Sequence, residues 1–115
     1  MAKRSFKVLT LNNISIKGLR RFPRDDYEVA SGISEPDAII LRSYNMHLMG
    51  IPDSVVAIGR AGAGVNNIPI EALSRRGVPV FNTPGANANA VKELAVAAML
   101  ISARNICNAR DYVKD

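Results

Sequence analysis

The apolar positions of this chain fall in short blocks separated by turn residues. Residues 6–11, FKVLTL, are apolar and rich in β-formers and predict a first strand. Ser15 predicts the cap of a short helix that runs to about Phe22 and stops at Pro23. Tyr27 to Ala30 reads as a second strand, and Asp37 to Arg42 as a third. The third carries the continuous apolar run of a parallel strand covered on both faces. Met46 to Met49 opens a second helix, closed by Gly50 and Pro52. Val55 to Ile58 predicts strand four. Pro69 suits the first position of a helix, Ile70 and Leu73 give it an inner face, and Gly77 is its C-cap. Val78 to Phe81 predicts strand five, followed by the turn Asn82-Thr83-Pro84-Gly85.

This order, β-α-β-β-α-β-α-β with short connections, predicts an open parallel α/β sheet joined by right-handed crossovers. Ligands of such sheets lie beyond the carboxyl ends of the strands. Arg42, Arg60 and Asn82 each end a strand, so they are expected on one rim. Arg42 has two readings, an anion-binding group or a surface arginine capping a strand.

The last block behaves differently. Asn87 or Asn89 predicts the cap of one long helix reaching about Tyr112. Its middle, Leu94 to Ile101, is apolar all the way round, and a helix without a polar face is buried on every side. A sheet domain over residues 1–86 has little left to wrap a helix over 87–115. Either a partner chain covers this helix or the sequence is a fragment of a longer protein. A homodimer packed through residues 90–107 is the expectation.

The densest candidate chemistry is the loop over 58–67, IGRAGAGVNN. Gly59, Gly62 and Gly64 crowd around Arg60. Glycine lets the backbone approach a ligand closely. Successive N–H groups in such a turn form a concavity for anions, and an arginine adds a planar bidentate donor. The residues point to a small anionic ligand, with a ligand-free strand-to-helix turn as the bland alternative. A dinucleotide fingerprint needs G-x-G-x-x-G and an acidic residue about 20 positions on. Here Gly62-Ala63-Gly64 is followed by Val65-Asn66-Asn67, and no Asp or Glu lies between Glu71 and Glu93.

Composition narrows the classes. The 115 residues suit one domain, and 48% hydrophobic content with no Trp implies an aliphatic core. Cys107 is the single cysteine, which favours a reducing compartment, and a cytoplasmic location is expected. No apolar h-region follows Met1, and the longest apolar run is too short to span a bilayer, so no membrane partner is expected. The net charge of +5 owes much to Lys3, Arg4, Lys7, Lys17, Arg20, Arg21 and Arg24. Asp25, Asp26 and Glu28 follow directly, and no aromatic platform is interleaved, so a solvated face is favoured over nucleic-acid binding. The only histidine, His47, reads as a surface or half-buried residue that matches no catalytic position.

The segments Ile58 to Ile68 and Gly77 to Leu94 resemble the D-isomer-specific 2-hydroxyacid dehydrogenases. The resemblance covers residues 38–107 well and the first 37 weakly. It is nearest to members that oxidise 3-phosphoglycerate in serine biosynthesis. It implies a flavodoxin-like five-stranded substrate domain, with residues 88–112 as the helix that crosses to a separate NAD-binding domain. It also implies a substrate-binding set of Arg42, Ser43, Arg60, Ala61, Gly62 and Ala63, in which backbone amides of Gly62 and Ala63 hold the substrate carboxylate. Any contact of Ala63 with the cofactor NAD would come from its backbone, because some relatives carry a threonine there. The family's catalytic Arg, Glu and His and its G-x-G-x-x-G loop find no match in this chain. The 115 residues alone are therefore expected to be inactive. The competing class is a stand-alone anion-binding or regulatory module using the same rim.

Overall fold

Backbone hydrogen bonding turns the apolar blocks into five parallel strands. The computed structural model describes residues 4–114; Met1–Lys3, including Lys3 of the basic cluster, and Asp115 lie outside that range. The strands are β1 (Phe6–Thr10), β2 (Tyr27–Ala30), β3 (Ala38–Leu41), β4 (Ala57–Arg60) and β5 (Val80–Phe81). They pair in the order β2-β1-β3-β4-β5, every pair parallel. That is the flavodoxin-like order, with its switch point between β1 and β3.

One face of the sheet carries the main core. Leu9, Ile39, Leu41 and Ile58 alternate onto that face and meet Met46, Val55, Ile68, Leu73 and Val78, all buried. Leu73 is the inner residue of α2 (Ile70–Arg75), and Met46 that of a 3-10 turn, Met46–Leu48. Burying each such side chain is worth roughly 1.5–3 kcal/mol. Near β2, the Phe22 and Tyr27 rings pack edge to face at 5.1 Å, and Phe6 lies 5.8 Å from Tyr27.

Several boundaries differ from expectation for local reasons. The first helix, α1, is only Ile16–Leu19, and Ser15 caps it through its carbonyl rather than its hydroxyl. Gly18 inside α1 lowers its helix propensity. Strand four begins two residues later than its apolar run, because Val55 N–H is spent on the Pro52 carbonyl in a turn. Pro79 has no N–H for the ladder, which shortens β5 to Val80–Phe81, although its carbonyl still accepts from Ile58 N–H. Gly77 follows α2 at φ 72°, the left-handed position that ends a helix.

The chain divides into two compact units with the boundary between Pro84 and Gly85. The second unit is helical. The expected single helix to residue 112 is broken: α3 is Ala88–Ala103 and α4 is Ile106–Lys114. Asn105 at φ 51° makes the break, its side-chain oxygen accepting from Asn108 Nδ2 at 2.8 Å. Asn87 precedes α3 without a side-chain capping bond, and Asn89 Nδ2 instead donates to Glu93 at 3.0 Å. The apolar side chains of α3 are exposed, Leu94 at 72% and Met99 at 70%. Among the described residues, no helix is long and apolar enough to cross a membrane.

Candidate functional site

Strand register builds the rim. Leu41 lies beside Arg60, and Gly59 beside Phe81, so Arg42, Arg60 and Asn82 emerge together at the carboxyl ends of β3, β4 and β5. Parallel strands put every carboxyl end on one edge, which is where such sheets keep their ligands.

Two asparagines fix the segment after β3. Asn12, just past β1, sits at φ 73°, a left-handed conformation that asparagine tolerates. Its Oδ1 accepts from Arg42 N–H at 3.1 Å and from Tyr44 N–H at 2.9 Å. From the other side, Asn67 Nδ2 donates to the carbonyls of Arg42 at 3.0 Å and Tyr44 at 2.8 Å. Asn67 Oδ1 in turn accepts from Arg60 Nε at 3.2 Å. The Arg42 backbone is thus held at both its N–H and its C=O. Its guanidinium is exposed and, among the described residues, meets no partner in the chain. Ser43 lies exposed inside the same bracket.

The glycine loop is oriented from β5. Ala61 N–H extends the sheet ladder to Leu41 at 2.8 Å, whereas Gly62 N–H, expected with Ala63 to hold the substrate carboxylate, is instead spent on the Arg60 carbonyl at 3.0 Å. Thr83 N–H donates to the Gly62 carbonyl at 2.9 Å, and Asn82 Nδ2 to the Ala63 carbonyl at 2.9 Å. In a trans peptide the N–H points opposite to the C=O. Holding those two carbonyls therefore turns Ala63 N–H and Gly64 N–H outward, away from Asn82 and Thr83. Among the described residues neither N–H finds an acceptor in the chain. Two adjacent outward amides are donors of the kind that can form a concavity for an anion. The half-buried Arg60 side chain folds back over Gly62 in the same loop.

His47 lies near this assembly in a structural role. Its Nε2 is 2.8 Å from the carbonyl of Asn66, which ties the 3-10 turn to the glycine loop. Among the described residues, no group of three His, Cys, Asp or Glu side chains is placed to hold a metal ion. The residues present do not fit a dinucleotide either. The pyrophosphate site of such folds is a glycine turn that runs directly into a helix N-terminus. Here residues 61–69 separate β4 from α2, and α2 has only 6 residues.

Sequence reasoning placed Arg42, Arg60, Asn82 and the glycine loop on one rim but missed Asn12 and Asn67. The Asn-Asn pairs at 12–13 and 66–67 are the available signal, since asparagine both tolerates left-handed backbone and bonds to peptide groups.

Comparison with known proteins accords with this architecture. Residues 5–112 match the family described as D-isomer specific 2-hydroxyacid dehydrogenase, catalytic domain. This chain belongs to that family. It is 34% identical over 123 residues to a D-3-phosphoglycerate dehydrogenase of Archaeoglobus fulgidus, covering 95% of this chain and 23% of that relative. A hydroxypyruvate reductase of Thermotoga maritima is 36% identical over 91 residues, covering 76% of this chain and 30% of the reductase. The crystal structure of NAD+-bound 3-phosphoglycerate dehydrogenase from Entamoeba histolytica superposes with a TM-score of 0.70 at 29% identity, over 85% of this chain and 39% of that one. The chain thus spans less than a third of the length of these two curated relatives.

Proposed function

We propose that this chain is the substrate-binding part of an NAD-dependent D-2-hydroxyacid dehydrogenase acting on 3-phosphoglycerate. The observation that carries the reading is the pair of outward amides, Ala63 N–H and Gly64 N–H, on the same rim as Arg42 and Arg60. A substrate with a carboxylate at one end and a phosphate at the other needs amide donors for the first and a free guanidinium for the second. The rim offers both kinds of donor. The names of the relatives, D-3-phosphoglycerate dehydrogenase among them, support the substrate class. In the parent enzyme NAD would supply the hydride acceptor. Its residues of attachment are not those of this glycine loop, beyond a backbone contact at Ala63. Among the described residues the rim brings together no paired acid and base, and we propose that the 115 residues alone carry no turnover.

The test is a titration of the chain with D-3-phosphoglycerate, following amide resonances. Saturable shifts centred on Ala63 and Gly64, with none produced by NAD alone, are expected. Absence of any shift at millimolar ligand sinks the reading. So does NAD reduction above a buffer blank that is lost on mutating a residue of this chain.

A further inference from the structure

We infer that Asn67 is a positioning residue for the anion site, coupling the two arginines so that they act as one recognition unit. The inference rests on the anion-binding reading of the rim. Three bonds converge on this one side chain: Arg60 Nε on its Oδ1, and the carbonyls of Arg42 and Tyr44 on its Nδ2. The amide therefore uses its acceptor for one strand end and both its donors for the other. Among the described residues, no other side chain hydrogen-bonds to the Arg60 guanidinium. Among the same described residues, no carboxylate forms an ion pair with either arginine.

The chemistry of the arrangement is specific. Asn67 engages Arg60 at Nε and leaves both terminal nitrogens for a ligand. It supplies no negative charge that would compete with an incoming anion, as an Asp in the same place would. Asn12 completes the bracket by accepting from the Arg42 and Tyr44 N–H groups, a second set of tethers on the same segment. Of the two asparagines, Asn67 is the one that reaches across to Arg60. A purely structural asparagine would need only its bonds to Arg42 and Tyr44. The bond to Arg60 links it to the ligand.

A double-mutant cycle tests this. Affinity for D-3-phosphoglycerate is measured by titration for the chain, Asn67→Ala, Arg60→Ala and the double variant. Coupled action predicts about tenfold weaker binding for Asn67→Ala in the parent background, and little further loss when Arg60 is already Ala. Equal losses in both backgrounds overturn the coupling while leaving the anion site intact. Failure of the unmutated chain to bind overturns the anion reading, and the coupling with it. Should Asn67→Ala not fold, Arg60→Lys keeps the charge but lacks Nε. Wild-type affinity in Arg60→Lys overturns the inference, and a loss of about tenfold supports it.

Discussion

The guanidinium of Arg60 occupies the space that a side chain at position 62 would need. A β-carbon built on Gly62 would run into Arg60 Nη1 and lie 3.1 Å from its Cζ. The glycine is required both for its own backbone, at φ 157°, and for the arginine folded over it. Gly62→Ala is expected to push the Arg60 head out of register and weaken 3-phosphoglycerate binding about tenfold. The sheet should stay folded. Calorimetric titration beside circular dichroism separates the two effects, and unchanged affinity would mean that Arg60 moves aside without consequence.

Arg42 presents the opposite case, a side chain with nothing to lose in the fold. Arg42→Ala is expected to leave unfolding stability within about 0.5 kcal/mol, as for an exposed residue. Binding of the phosphate-bearing substrate should fall by roughly 1.5–3 kcal/mol, the scale of a hydrogen bond to a charged group. Thermal melts and ligand titrations on the same sample check both halves. A large stability loss would make Arg42 a structural cap instead.

For α3 we expect self-association through residues 90–107. Leu94, Met99 and Leu100 are 72%, 70% and 58% exposed in the single chain. Each would gain roughly 1.5–3 kcal/mol on burial. A symmetric contact between two copies hides the apolar surface of both at once. Sedimentation at micromolar concentration should show a dimer or larger species, and Met99→Glu should dissociate it. A clean monomer before mutation rules the contact out.

Asn105 sets the break between α3 and α4. At φ 51° an alanine would cost about 1–2 kcal/mol, whereas glycine would not. Asn105→Gly should therefore preserve the helical signal in circular dichroism. Asn105→Ala should raise it by favouring one continuous helix. Identical spectra for the two variants would show that tertiary context, and not residue 105, fixes the break.

Legibility in the sequence varied with the range of the interactions. Tyr27–Ala30 was read to the residue, because an acidic turn precedes it and Ser31-Gly32 follows. Strand four was misplaced because hydropathy cannot tell Val55, buried in a turn, from a strand residue such as Ile58. The α3–α4 break was missed because the apolar run up to Ile101 outweighed a lone asparagine. The rim arginines were visible as residues ending apolar runs. The bracket was not, since Asn12 bonds Tyr44 at a separation of 32 residues and Asn67 bonds Arg42 at 25. An asparagine in a turn advertises local bonds only.

On the proposed reading, those separations place ligand affinity in the assembled sheet and not in the glycine loop. The long-range tethers of the loop start after β3 and β5 and on the 3-10 turn, so closing them awaits non-local pairing, the slow step of such topologies. A synthetic peptide of residues 58–67 should therefore bind no anion, although it carries every glycine and Arg60. Conversely, a ligand that recognises only the closed bracket must oppose unfolding of the whole first unit. At a hundredfold excess over Kd that amounts to about 2.7 kcal/mol of added stability. The rise in melting temperature with 3-phosphoglycerate then serves as a direct readout of how completely β1, β3, β4 and β5 have come together.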